Sequence, residues 1–257
     1  MTHYPTDLTD KQWQVIKKII NPQERRRKHS LREIMDAILY VNKTGCQWRM
    51  LPSDFAPWQT IYYYYFRKWK YEGVFEEVMD CLRSFIRKQS GRPASPSLGI
   101  IDSRSVKTSH HVDSERGIDG NRRFKDGRST SLSTRWVFHF LSKSTKQTYT
   151  TARVRSKPEN LAHKFPRLMK ILADGGYRGD LADWVRKKFG WILEVMLRPE
   201  ECPCKFHVLP KRWIVERTFS WLENFRRLTI DYEFLAETAE TMVQIAFIQI
   251  MLNKFIE

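Results

Sequence analysis

The chain has 257 residues, 41% of them hydrophobic and 13% aromatic, with nine Trp. This length fits a small domain joined to a larger one, and the composition excludes wholesale disorder. Lys and Arg number 45 against 29 Asp and Glu, a net charge of +16 that points to a polyanionic partner. No apolar run is long enough to span a bilayer, and the N-terminal MTHYPTDLTDKQW lacks a charged and an apolar leader region, so a cytoplasmic location without membrane contact is expected. Cys46, Cys81, Cys202 and Cys204 are too few and too scattered for a disulfide framework and are expected to be reduced.

In chain order, residues 8–20 place Leu8, Trp13, Ile16, Ile19 and Ile20 at helical spacing, behind a Thr9 cap and with Asp10 in the first turn. A basic turn follows. Ser30-x-x-Glu33 then opens an amphipathic helix as a capping box, and Gly45 stops it. Trp58, Ile61, Tyr62, Tyr65, Phe66 and Trp69 recur at three- and four-residue steps, which predicts a third helix. Its other face carries Arg67, Lys68 and Lys70, as suits a helix-turn-helix whose last helix meets DNA, although an aromatic stripe of this kind also builds an ordinary core. A fourth helix over residues 75–88 leads into QSGRPASPS, whose Gly, Pro and Ser mark a domain boundary.

Beyond the boundary, LGIID and LMKILAD each read as a short buried strand ending in an acid, Asp102 and Asp174. Helices are expected at 180–189 and 210–228 around a strand at 191–197, with an apolar helix at the C-terminal end, so the fold class is α/β. The helix over 210–228 contains Glu216, flanked by Arg212 and Arg217. Two strand-end acids and one helical acid can converge on a pair of Mg²⁺ ions, which suit hard oxygen ligands and assist displacement at phosphorus. By spacing alone these three do not stand out among 29 acids, and each serves equally as a cap or an ion-pair partner.

The segments TGCQWRMLPSDFAPWQTIYYYYFRKW, LGIIDSRSVKT, ILADGGYRG and VLPKRWIVERTFSWLENFRRL, in this order, resemble the motifs of bacterial insertion-sequence transposases of the DDE class, family five, close to family four. The likeness runs from Leu8 to the end of the chain except in its middle. It implies a ribonuclease-H-like catalytic domain over 96–257 behind a small all-α, helix-turn-helix-like domain over 1–90. Asp102, Asp174 and Glu216 fall on the catalytic, metal-binding acids for two Mg²⁺ or Mn²⁺ ions, and Arg212 stands in the Arg-x-x-x-Glu position. Lys107, Arg178, Arg212, Arg217, Arg226 and Arg227 join Arg67, Lys68 and Lys70 as implied DNA contacts. Glu223 and Leu209 depart from the common Lys and Tyr, a lost charge that Arg226 and Arg227 replace. The implied reaction is cleavage at the transposon ends by activated water, followed by attack of the freed 3′ hydroxyl on target DNA. The implied partners are the terminal inverted repeats, target DNA and a second copy of the chain, on the bacterial nucleoid.

Residues 127–158 fit the likeness badly, with 12 Ser or Thr, 7 Lys or Arg and no acid where the second and third strands are expected. Synonymous codons exist that let the neighbouring reading frame spell a family-like strand sequence there, which would make the stretch the product of two compensating frameshifts. Activity is then expected to be weak or lost. A DNA-binding repressor without chemistry is one alternative, and a metal-dependent nuclease is another. Cys202-x-Cys204-x-x-His207 is half a zinc site without a second half, His110-His111 sits in a Ser-rich stretch, and Gly175-Gly176 lacks the Lys of a phosphate-binding loop.

Overall fold

The computed structural model describes residues 4–20, 26–101, 104–108, 129–132, 163–173, 180–195 and 212–254. They belong to two compact units, one of residues 1–94 together with 221–257 and one of residues 95–220.

The first unit is helical. Helix α1 (Asp10–Ile20) starts with a reciprocal cap: the Gln12 N–H donates to Thr9 Oγ1 at 3.3 Å, and the Thr9 N–H donates to Gln12 Oε1 at 2.9 Å. Helix α2 (Leu31–Thr44) is capped by Ser30, whose hydroxyl accepts the Arg32 N–H, while Glu33 meets His29 at 3.9 Å. Gly45 ends α2 in the left-handed region at φ 73°, its N–H donating to the Val41 carbonyl. The expected third helix is a π-helical stretch, Thr60–Phe66, that continues into α3 (Arg67–Tyr71). The Arg67 N–H reaches back five residues to the Tyr62 carbonyl. Inside this turn Trp48, Tyr62 and Phe66 pack ring on ring with centroids 5.1–5.7 Å apart. Helix α4 is Val74–Gln89.

The first stretch of the helical unit ends at residue 94. Residues 221–257 belong to the helical unit. The reason lies in the last helix, which we call α7 (Ala236–Asn253) and which packs against α2 and α4. Met242, Val243, Ile245, Phe247, Ile248 and Leu252 are all buried. Burying each such side chain stabilises by about 1.5–3 kcal/mol relative to exposure, so a helix apolar on nearly every side needs the four N-terminal helices around it. Two buried amides fix its register: Asn42 Nδ2 donates to the Met242 carbonyl and Gln12 Nε2 to the Leu252 carbonyl, each at 3.1 Å.

The second unit mixes sheet and helix. Strands β1 (Leu98–Ile101), β4 (Lys170–Ala173) and β5 (Ile192–Val195) form a parallel sheet with β4 in the middle. Strand β2 (Arg104–Thr108) pairs antiparallel with β3 (Ser129–Leu132). Thus Ser129–Leu132, at the start of the stretch that fits the family badly, is a strand; the rest of 127–158 lies outside the described residues. Helix α5 (Leu181–Phe189) lies between β4 and β5 in the chain, and its Leu181 and Val185 share a core with Ile171, Ala173 and Leu193. Helix α6 (Arg212–Glu223) comes next, before α7.

Candidate functional site

Strand β4 is short, apolar and buried on both faces at Ile171 and Leu172, as a central parallel strand must be. It runs in register with β1: Leu98 pairs with Lys170, Gly99 with Ile171, Ile100 with Leu172 and Ile101 with Ala173. Both strands therefore end on a paired residue. The next residue in each segment of chain is an acid, Asp102 after Ile101 and Asp174 after Ala173, and both acids lie outside the described residues. Glu216 stands in α6, one helical turn after Arg212. Among the described residues no cluster of His, Cys, Asp or Glu could hold a metal ion. Arg178, His110, His111, Gly175, Gly176, Cys202, Cys204 and His207 also fall outside them, while Cys46 and Cys81 are free thiols.

The expected DNA contacts are placed unevenly. Arg67 and Lys68 are exposed, and Lys68 pairs loosely with Glu72 at 3.8 Å. Lys70 is half-buried, with Nζ 3.3 Å from Thr238 Oγ1 and 4.9 Å from the Tyr71 ring centroid. On β2, Lys107 stands opposite Ser129. Arg217 and Arg226 are exposed.

Arg227 is held by partners within the helical unit. Its guanidinium donates through Nε and Nη2 to Glu233 Oε1, at 2.8 and 2.5 Å, and through Nη1 to the Cys46 carbonyl at 3.3 Å. The two side chains are only 9% and 11% exposed. A phosphate would have to displace a carboxylate already desolvated with its partner, and taking Arg227 away would strand that carboxylate. The residue holds the turn after α6 against the end of α2. Nothing in the local sequence separates it from Arg226.

Other titratable groups of the helical unit are shifted by burial. Asp36 is 8% exposed and its Oδ1 accepts the Leu8 N–H at 2.8 Å. Burial pushes its carboxyl up to about 7, against the pull of the Leu8 N–H and of Arg32. Burial also raises Asp231 and lowers Lys43, whose ammonium sits 4.7 Å from the Phe225 ring centroid. The Tyr62 phenol is raised by burial first and by Glu233 second.

Two family models match the chain. Residues 8–79, from the start of α1 into α4, match the transposase of IS4/5 family (DUF4096), and residues 171–253, from β4 through α7, match the transposase DDE domain. The second match contains Asp174 and Glu216, whereas Asp102 lies between the two. No curated protein and no solved structure matches the chain. No helix among the described residues is long and apolar enough to cross a membrane. DNA transposition is the process such proteins serve, and divalent metal ions are their general cofactors. With an IS4/5 transposase match at the helical end and a DDE match over the strand and helices that follow, the chain belongs to the insertion-sequence DDE transposases.

Proposed function

We propose that the chain cleaves phosphodiester bonds at the ends of an insertion sequence and joins the freed strand to target DNA, using Asp102, Asp174 and Glu216 on a ribonuclease-H-like domain. The register of β1 with β4 carries this reading. In sequence, Asp102 and Asp174 are the residues that follow the paired Ile101 and Ala173. A parallel sheet with an antiparallel pair in the same unit supports the fold assignment.

Three carboxylates are hard oxygen donors and fit Mg²⁺ or Mn²⁺. When bound, two such ions supply Lewis-acid assistance to the attacking and leaving oxygens of an in-line displacement. The chain's own groups hold the DNA. Lys107, Arg178, Arg212 and Arg217 neutralise phosphates for the catalytic domain, while Arg67, Lys68 and Arg226 on the helical unit contact DNA as that unit reads the terminal inverted repeats, and a homodimer brings two ends together. The proposed DNA-reading domain is residues 1–90, completed by α7; the proposed catalytic domain is 96–257, in which α7 serves the other unit's core.

The purified full chain, given Mg²⁺ or Mn²⁺ and duplexes bearing the element's own ends, is expected to nick the ends and join them to a target plasmid. Glu216→Gln or Asp174→Asn is expected to lower both steps by on the order of 100-fold or more while leaving salt-dependent binding intact. Cleavage that persists in Glu216→Gln would overturn the acid assignment. The composition of 127–158 favours a second reading, a repressor that binds ends without cutting. Binding without nicking by the natural chain, together with nicking by a chain whose neighbouring frame is restored across 126–158, would select it.

A further inference from the structure

Cations lie over several rings of the helix from Trp58 to Tyr71. The Arg49 guanidinium lies 5.5 Å from the Trp58 ring centroid, Lys68 lies 6.0 Å from Tyr64, and Lys70 lies 4.9 Å from Tyr71. Tyr63, Tyr64 and Tyr71 are 54%, 61% and 66% exposed, although Ile61, Phe66 and Trp69 of the same helix are buried. Tyr64, Lys68 and Tyr71 recur at four- and three-residue steps and so form one stripe, about 10 Å from first ring to last, with Arg67 beside it. The stripe begins inside the π-helical stretch, a distortion that concentrates at functional positions. Burial raises the Tyr65 phenol and Arg27 opposes it.

We propose that this stripe is a stacking platform for the unpaired bases of single-stranded DNA. In a duplex the base faces are covered by their neighbours and only edges and phosphates are presented, so a protruding tyrosine ring gains little there. An unpaired base offers its face, and a cation between two rings neutralises the phosphate that links two stacked nucleotides. The Lys68–Glu72 pair is half-exposed, of a kind that a phosphate displaces readily. The proposal rests on the DNA-binding reading above and adds the strand state of the ligand; the strand freed by end cleavage is an occupant that the proposed reaction itself generates.

The test is fluorescence-anisotropy titration of the full chain with labelled oligo(dT) and with a random duplex of equal length, about 20 nucleotides, enough for at least one single-strand site. Tyr64→Ala/Tyr71→Ala is expected to weaken oligo(dT) binding by about tenfold or more and duplex binding by no more than about twofold, because stacking and phosphate contacts are separate contributions. Tyr64→Phe/Tyr71→Phe should keep oligo(dT) affinity, since a phenyl face stacks as well as a phenol. Equal losses on the two ligands, loss in the Phe variant, or duplex binding without oligo(dT) binding by the natural chain would each overturn the platform. If the natural chain binds neither ligand, the DNA-binding reading falls with it.

Discussion

Asp36 is an acid inside an apolar helix face, between Met35 and Ala37, with its carboxylate on the backbone N–H of Leu8 ahead of α1. Its native pKa of about 7 lies above that of an unfolded aspartate. Between these values the native state holds a proton that the unfolded state has lost, so the group's contribution to stability falls as pH rises from about 4 to about 7 and is level above that. The full effect is bounded at about 4 kcal/mol by the size of the shift. Asp36→Asn keeps an oxygen for the Leu8 N–H and removes the titration. Urea unfolding at pH 5 and pH 8 should therefore show the natural chain losing more stability on the alkaline side than the variant, which becomes the more stable of the two at pH 8. Identical pH slopes would exclude Asp36 as the source.

Helix α2 stops where the turn after α6 crosses it. A Cβ added to Gly45 would come within 2.9 Å of Arg226 Cβ and 3.1 Å of the Arg226 carbonyl carbon, besides forcing a side chain into φ 73°. Gly73 has the same φ and open space around it. Gly73→Ala should thus cost about 1–2 kcal/mol of left-handed strain, whereas Gly45→Ala should cost clearly more, by thermal or urea unfolding; equal costs would mean that the turn yields freely. The two glycines also show what a sequence makes legible. That α2 ends at Gly45 is a local matter of caps and period, as are the near coincidence of α1, α4, α5, β1, β4 and β5 with their expected ranges and the acid after each of β1 and β4. The crossing at Arg226 joins residues far apart in the chain and leaves no local trace. For the same reason Arg227 reads as a free basic residue until Glu233 and the Cys46 carbonyl are seen around it. The reciprocal cap at Thr9 and Gln12 was half legible, because Gln12 also serves Leu252. The π-helical stretch was not: its rings Tyr62 and Phe66 pack on Trp48, which lies outside the stretch's own periodicity.

At the scale of the molecule, one unit is built from both ends of the described chain. A fragment of residues 1–94 lacks α7 and would expose the apolar faces of α2 and α4 that Met242, Val243, Ile245 and Ile248 cover. Circular dichroism and heat-capacity scans should find it without a cooperative transition, and adding a peptide of residues 221–257 should restore one. A fragment that melts cooperatively alone would show that the first four helices suffice. Specific recognition of element ends is accordingly expected from the full chain or the reconstituted pair, not from residues 1–92 in isolation.

The late arrival of α7 also sets an order of events on the ribosome. Synthesis at about 5–20 residues per second needs on the order of 10 s to run from residue 95 to residue 253, and during that time α1 to α4 have no closing helix. A nascent chain that stops early, or never regains the sense of its message, leaves those helices uncovered and open to proteolysis. On the proposed DNA contacts, a chain stopped before Asn253 lacks the finished core that carries Arg67 and Lys68 and is expected to bind element ends poorly.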